Sequence, residues 1–297
     1  MRTGTGRYAV AVLLICTTGA VPAGSTAASQ GLTGRLIGNV QAYQVKRGES
    51  LVEIARKFDI GFNAIAAANP DLDPWVPPTG SKVTIPTAWI LPESGRRPGL
   101  VINIPEFRLY YVPPKKSDSI LTFPLGIGDQ GSSTPVGRYF VVEKIVRPAW
   151  HVPKSIWAES PRHLRIVPPG PDNPLGSHAL RLSRNDLLIH GTNRPWGIGR
   201  RSSHGCLRLY PEDIVKLFRR VPEGTQVSVI NQPVKICTSG GRIMLEVHRP
   251  ISGEISVGQV LRQLAGKGLV SRVEFAKVIR TVEERKGVPV DVTLSLR

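Results

Sequence analysis

Between residues 100 and 230 short apolar runs of strand length recur, and a single segment carries a helical period. That pattern restricts the central half of the chain to a sheet-based fold. Residues 100–104 and 108–112 flank Pro105-Glu-Phe107 and read as a hairpin. Residues 120–127, 139–146, 187–190 and 226–230 supply further strands. The helix is 211–220: Pro211 opens it, Glu212 and Asp213 lie in its first turn, and Arg219 and Arg220 close it. Residues 147–180, rich in proline and carrying His151, His163 and His178, are too long for an ordinary connection and read as a lid or binding wall.

At 41% hydrophobic and 21% charged residues the chain is neither disordered nor fibrous, and three cysteines exclude a disulfide scaffold. A formal charge of +17 favours an anionic partner: nucleic acid, phospholipid or an acidic polymer. The N-terminus narrows that choice. Arg2 and Arg7 precede an apolar run at 8–16 and small residues at 20–28, the order of a secretory signal peptide, expected at 1–28. The run is too short to span a bilayer, so no integral membrane segment is expected after cleavage. An exported basic protein meets envelope polymers and anionic lipids, and nucleic acid is not expected as a partner.

After a linker at 29–40, residues 42–86 read strand, helix, helix, strand. Ser50 and Glu53 have the spacing of a capping box, and Leu51, Ile54, Ala55 and Phe58 follow helical spacing. Asn63 is expected to cap the second helix, and 82–85 to close the unit. Tyr43-Gln-Val-Lys-Arg-Gly-Glu-Ser-Leu51, Ile54-Ala55, Ala68-Asn-Pro70 and Val83-Thr-Ile-Pro86 together resemble a LysM module. The resemblance implies a βααβ fold binding the N-acetylglucosamine chain of peptidoglycan; its alternative is a module that only packs against its neighbour. Trp75 is the one aromatic in view for a sugar, and it reads equally as core. Residues 89–98 read as a second linker. A hairpin and a helical tail, with a capping box at Ser271–Glu274, make 232–297 an accessory segment.

The chemical signal is His190-Gly-Thr-Asn193 followed by Ser203-His-Gly-Cys206-Leu-Arg208. A thiolate is the reactive form of cysteine, and His190, His204, Arg208 and the helix opening near Pro211 are all of the kind that lowers a thiol pKa. His190, ending a strand, is the candidate base. Gly191 beside it suits an open site, and Gly205 permits close backbone approach, with N–H groups around Cys206 as oxyanion donors. No CxxC or HxxxH pair accompanies these residues, so no metal is expected. Gly126-Ile-Gly128-Asp-Gln-Gly131 lacks the helix and Lys-Ser/Thr of a phosphate loop and reads as a turn. Cys237 reads as a spectator that can pair with Cys206 only if oxidised.

These motifs resemble the signature of L,D-transpeptidases with a YkuD-type catalytic domain, in the ErfK/YbiS-type periplasmic subgroup; the likeness runs from Gly99 to about Val247, with the catalytic domain expected at 98–231. The resemblance implies a mainly β fold, a β-sandwich beside the small α+β module and a short helical C-terminal segment. It implies Cys206 as nucleophile and His190 as proton donor and acceptor. Ser203, His204, Gly205, Arg208, Gly191 and Thr192 would form the substrate and oxyanion pocket. Where many members carry Asn two places after the cysteine this chain has Arg208, suited to a substrate carboxylate. The implied reaction releases D-Ala from peptidoglycan stem peptides and passes the acyl group to a diaminopimelate amine or an outer-membrane lipoprotein lysine, with no cofactor. Arg200 and Arg201 read either as a basic substrate wall or as a solvated loop. The alternatives are a thiol amidase or carboxypeptidase using water, and a non-catalytic LysM-type binding protein. The order His before Cys disfavours a papain-like hydrolase, and their close spacing disfavours a sortase.

Overall fold

The computed structural model describes residues 36–115, 119–153, 165–184 and 186–295. The segment expected to be a signal peptide, Trp157 and His163 lie outside them. In the first unit β1 (Leu36–Gly38) and β2 (Gln41–Gln44) precede α1 (Leu51–Lys57) and α2 (Phe62–Ala68), and β3 (Lys82–Ile85) and β4 (Ala88–Ile90) follow. β2 pairs antiparallel with β3 and β1 with β4. The capping box forms as read: Ser50 Oγ accepts from Glu53 N–H, and Glu53 Oε2 accepts from Ser50 N–H at 2.8 Å.

Three expectations here are corrected. Gly61, not Asn63, is the N-cap of α2. The N–H groups of Phe62 and Asn63 donate instead to the carbonyls of Ile198 and Gly199, each at 3.2 Å, so a neighbouring unit replaces the side-chain cap. The supposed linkers at 29–40 and 89–98 contain β1 and part of β4, with Trp89, Ile90 and Leu91 buried. Strands of three residues are too short to show an alternation.

The second unit holds β5 (Gly99–Asn103), β6 (Arg108–Val112), β7 (Leu121–Pro124), β8 (Ile127–Gly128), β9 (Gly137–Val146), β10 (Trp150–His151), β11 (Ile166–Val167), β12 (His178–Leu182), β13 (Leu188–His190), β14 (Arg201–Ser203), β15 (Leu207–Arg208), α3 (Pro211–Arg220) and β16 (Gln226–Ile230). Among the described residues, eight of these strands form one sheet in the order β15-β13-β12-β9-β16-β5-β6-β7. The sheet curls around one core: Leu109, Val141, Leu180, Ile189, Leu207 and Val227 come from six of its strands, and α3 adds Ile214 and Leu217. The fold class is therefore as expected, mainly β with a βααβ module. The segment expected to be irregular is partly organised. β10 pairs with β11, Asn173 donates to the carbonyls of Pro148, Val167 and Pro168, and His178 sits on β12.

The C-terminal segment pairs β17 (Val234–Ser239) with β18 (Arg242–Val247), adds α4 (Val257–Gly266) and α5 (Phe275–Glu284), and returns as β19 (Val290–Asp291) against β18. The capping box expected at Ser271 does not form, because Ser271 lies in a 3-10 turn and Glu274 is the N-cap of α5. One not foreseen joins Ser256 and Gln259 at the start of α4. This segment is tied to the rest by a buried charge cluster. Lys235 Nζ lies 2.9 Å from Glu106 and 2.8 Å from Glu246 and donates to Ile90 O at 2.6 Å. Ile90 N–H in turn donates to Glu246 Oε2 at 2.6 Å.

Candidate active site

β13 and β15 run parallel, with Ile189 opposite Leu207 and His190 opposite Arg208. Ile189 and Leu207 point into the core. Side chains alternate across a strand, so His190, Arg208 and Cys206, one residue before β15, share the other face. The topology thus brings together the His190 and Cys206 that the sequence separates by a loop and a strand.

The cysteine turn is braced from two sides. Ser203 Oγ donates to Cys206 O at 2.5 Å. Thr134 Oγ1 donates to Gly205 O at 2.9 Å and accepts from Gly128 N–H at 3.0 Å. Gly205 has φ +103°, a conformation glycine adopts without steric cost. A Cβ on Gly128 would lie 2.0 Å from Ser132 O, so this approach also requires glycine.

Each of the two candidate groups, Cys206 and His190, is engaged by a backbone carbonyl. Cys206 Sγ donates to Asp186 O at 3.5 Å, and His190 Nδ1 lies 2.7 Å from Gly191 O, with the Leu175 backbone also contacting the ring. Burial, reinforced by the positive charge of Arg208, pushes His190 down to about 4, so the imidazole is neutral at neutral pH. Burial pushes the Cys206 thiol up, against a hydrogen bond from the Leu188 backbone and the Arg208 charge, which act the other way. The expectation of a lowered thiol pKa is therefore reversed. The resting pair is a neutral thiol and a neutral imidazole, because loss of water outweighs one nearby cation.

The remaining expected residues separate into two groups. His204 is exposed, and Arg208 is half-buried with an inaccessible Nε that has no hydrogen-bond partner. Ser203 and Thr192 are buried, the first holding Cys206 O and the second accepting from Arg194 N–H at 2.9 Å. Gly191 is not at an open edge. It is buried, and a Cβ there would meet Ile214 at 3.0 Å. Arg201 donates to Gly128 O and Asp129 O, and the Arg200 guanidinium lies 3.8 Å over the Phe62 ring, so neither belongs to a solvated loop. Cys206 and Cys237 are both free thiols, and burial pushes Cys237 up to about 11. Thr134, Gly128, Asp186 and Leu175 were missed as site residues. Gly128 stood in a turn motif, but nothing in sequence spacing ties it or Thr134 to Cys206.

Among the described residues, Glu106, Glu246 and His248 are grouped closely enough for a metal ion. Lys235 already occupies the position against both carboxylates, so the cluster is satisfied as an ion pair.

Comparison with known families matches residues 97–229 to the L,D-transpeptidase catalytic domain (YkuD) and 43–86 to the LysM domain. The chain is 40% identical over 277 residues to the probable L,D-transpeptidase YcfS of Escherichia coli K12, covering 87% of this chain and 85% of that protein. Against the probable L,D-transpeptidase YbiS of the same strain it is 37% identical over 275 residues, covering 86% and 88%. Against the probable L,D-transpeptidase ErfK/SrfK of Salmonella typhimurium LT2 it is 36% identical over 279 residues, covering 87% and 88%.

Proposed function

The chain belongs to the L,D-transpeptidase family, a family of transferases, and from that premise we propose that it is a periplasmic enzyme acting on peptidoglycan tetrapeptide stems through a Cys206 thioester. The observation that carries this reading is the common strand face of His190, Cys206 and Arg208. The signal-like segment at 1–28 and the net charge of +17 support export to an acidic cell-wall substrate.

In the first step the Cys206 sulfur attacks the carbonyl joining the L-centre of diaminopimelate to terminal D-Ala, and His190 takes the thiol proton. With a neutral thiol of raised pKa and an imidazole of lowered pKa, full transfer before attack is unfavourable. The proton moves as the sulfur–carbon bond forms, and the buried imidazolium is stabilised only as negative charge develops on the substrate. The carbon–nitrogen bond then breaks, and His190 returns the proton to the departing D-Ala amine. In the second step an acceptor amine attacks the thioester, the sulfur–carbon bond breaks, and the thiol is regenerated. The acceptor is a second stem's diaminopimelate or an outer-membrane lipoprotein lysine. Arg208, half-buried and facing His190 across the strand pair, holds a stem carboxylate. His204 lies on the open side, while Ser203, Gly205, Gly191 and Thr192 keep the backbone of the pocket in place.

The test is mass spectrometry of purified muropeptides incubated with the wild-type protein and with Cys206→Ala. The expected result is loss of D-Ala with a new 3→3 dimer, absent in the variant. D-Ala loss without a dimer would assign the acyl group to water or to a missing lipoprotein acceptor. Identical products from both proteins would remove Cys206 as nucleophile and leave a LysM-type binding protein.

A further inference from the structure

The Cys206 thiol lies between two sets of charged groups. It contacts the Asp186 carbonyl at 3.5 Å and the Leu188 backbone, at the point where the β12–β13 turn enters β13. His190, with Arg208 opposite it, stands two residues beyond Leu188, and Asp186 stands two residues before it. The turn and the histidine therefore flank the thiol. In the turn the Arg184 guanidinium forks onto the Asp186 carboxylate, Nε to Oδ1 at 2.9 Å and Nη2 to Oδ2 at 3.5 Å. The Tyr139 hydroxyl also lies beside the guanidinium. The two paired side chains are 52% and 72% exposed, so a ligand can reach both. The turn closes without them, since Leu187 N–H donates to Arg184 O at 2.9 Å and Leu182 N–H to Leu187 O at 3.0 Å. An exposed pair of this kind adds little to stability. The nearby Arg181–Glu143 pair, 2.6 Å apart, lies across the sheet instead, with Arg181 opposite Leu188 and Glu143 opposite Arg181.

We propose that Arg184 and Asp186 are specificity-determining residues that together read the free amino-acid end of the donor stem's diaminopimelate. This rests on the stem-peptide reading above and adds which part of the stem is recognised, and by which groups. His190 returns its proton to the departing D-Ala amine, so the leaving group lies on the His190 side, where Arg208 meets its carboxylate. The acyl half of the stem then runs the other way from the thiol, toward the β12–β13 turn. There the diaminopimelate side chain ends in a second centre that carries an ammonium and a carboxylate on one carbon. Four carbon–carbon bonds, about 5 Å when extended, separate that centre from the α-carbon. Two residues of extended chain, the step from Leu188 back to Asp186, cover about 7 Å, so an acyl group held at the thiol reaches the turn. The carboxylate takes the planar Arg184 fork and the ammonium takes the Asp186 carboxylate, one ion pair exchanging for two of the same kind. A side chain with only one of these charges leaves either Arg184 or Asp186 without its new partner.

The experiment uses the full chain and follows D-Ala release with thioester formation in a single turnover, so that the acceptor plays no part. Three synthetic tetrapeptide stems differ only at the third residue. One carries diaminopimelate, one lysine, which lacks the terminal carboxylate, and one aminopimelate, which lacks the terminal amine. Arg184→Gln is expected to slow the diaminopimelate and aminopimelate stems about tenfold and the lysine stem less than about twofold. Asp186→Asn is expected to slow the diaminopimelate and lysine stems by a similar factor and to spare the aminopimelate stem. Because the Asp186 charge also acts on the thiol, the readout is the ratio between stems, which a change in thiol reactivity leaves unaltered. Equal slowing of all three stems would reduce the pair to a structural role and overturn the proposal. The same selective losses in Arg181→Gln, with Arg184→Gln parent-like, would overturn it too. A parent that acylates equally fast with all three stems would overturn it while leaving Cys206 acyl transfer standing. No thioester with any stem would remove the acyl-transfer reading and this proposal with it.

Discussion

His190 faces Arg208 across the parallel β13–β15 pair, and the arginine's charge is the second cause, after burial, of the histidine's lowered pKa. Arg208→Leu therefore raises His190 from about 4 toward its ordinary value near 6.5. As the proposed base, His190 works only when neutral, so activity falls as the pH drops through its pKa. The acid limb of kcat/KM for D-Ala release is expected near 4 in the parent and higher in the variant. The same substitution removes a charge that lowers the Cys206 pKa, so iodoacetamide alkylation shifts to higher pH. Superimposable pH profiles would show that Arg208 does not act on the pair.

Gly61 and Gly199 meet backbone to backbone where the module contacts the catalytic unit. A Cβ on Gly61 would lie 2.7 Å from Gly199 Cα, although its φ of −83° suits alanine. Gly61→Ala is expected to lower stability by about 1–3 kcal/mol through steric displacement. It should also slow D-Ala release, because the displaced segment leads into Ser203–Cys206. Gly266→Ala, with no atom within 4 Å of its added Cβ, is the control. Denaturant unfolding of both variants measures the cost, and equal midpoints would refute it.

Lys235 neutralises two buried carboxylates at once. Lys235→Met removes the ammonium in direct contact with both Glu106 and Glu246 and is expected to cost about 3–5 kcal/mol. Adding Glu106→Gln and Glu246→Gln should restore part of the loss. A single-variant cost below about 1 kcal/mol in urea unfolding would mean that the cluster is not carrying the junction.

Asp213, on α3, is fully buried, and burial followed by the Asp59 carboxylate pushes it up to about 8, even with Lys216 2.9 Å away. Its folded pKa lies above the unfolded value of about 3.9. The unfolded chain therefore releases the proton first, and the stabilising contribution, complete below about pH 4, is lost as pH rises toward 8. In Asp213→Asn that slope should disappear. The variant's unfolding free energy relative to the parent then increases between about pH 5 and 8. A constant difference over that range would contradict the assignment.

Much of the fold was legible because its signals are local. The capping box at Ser50–Glu53, the hairpin around Pro105 and the charge order of Pro211–Arg220 each lie within a dozen residues, where backbone geometry follows from neighbouring side chains. The cap of α2 was not legible, since its partners, Ile198 and Gly199, are more than a hundred residues away. The same limit hid Thr134 behind the cysteine turn.

By itself, the sequence singled out the candidate residues for the proposed chemistry, a cysteine in a glycine turn and a histidine ending a strand, and determined the mainly β class of the central unit. Only the tertiary structure decided their protonation. Whether Arg208 or dehydration dominates at Cys206 and His190 depends on how deeply the fold buries them, and electrostatic energies follow that local polarity rather than residue order.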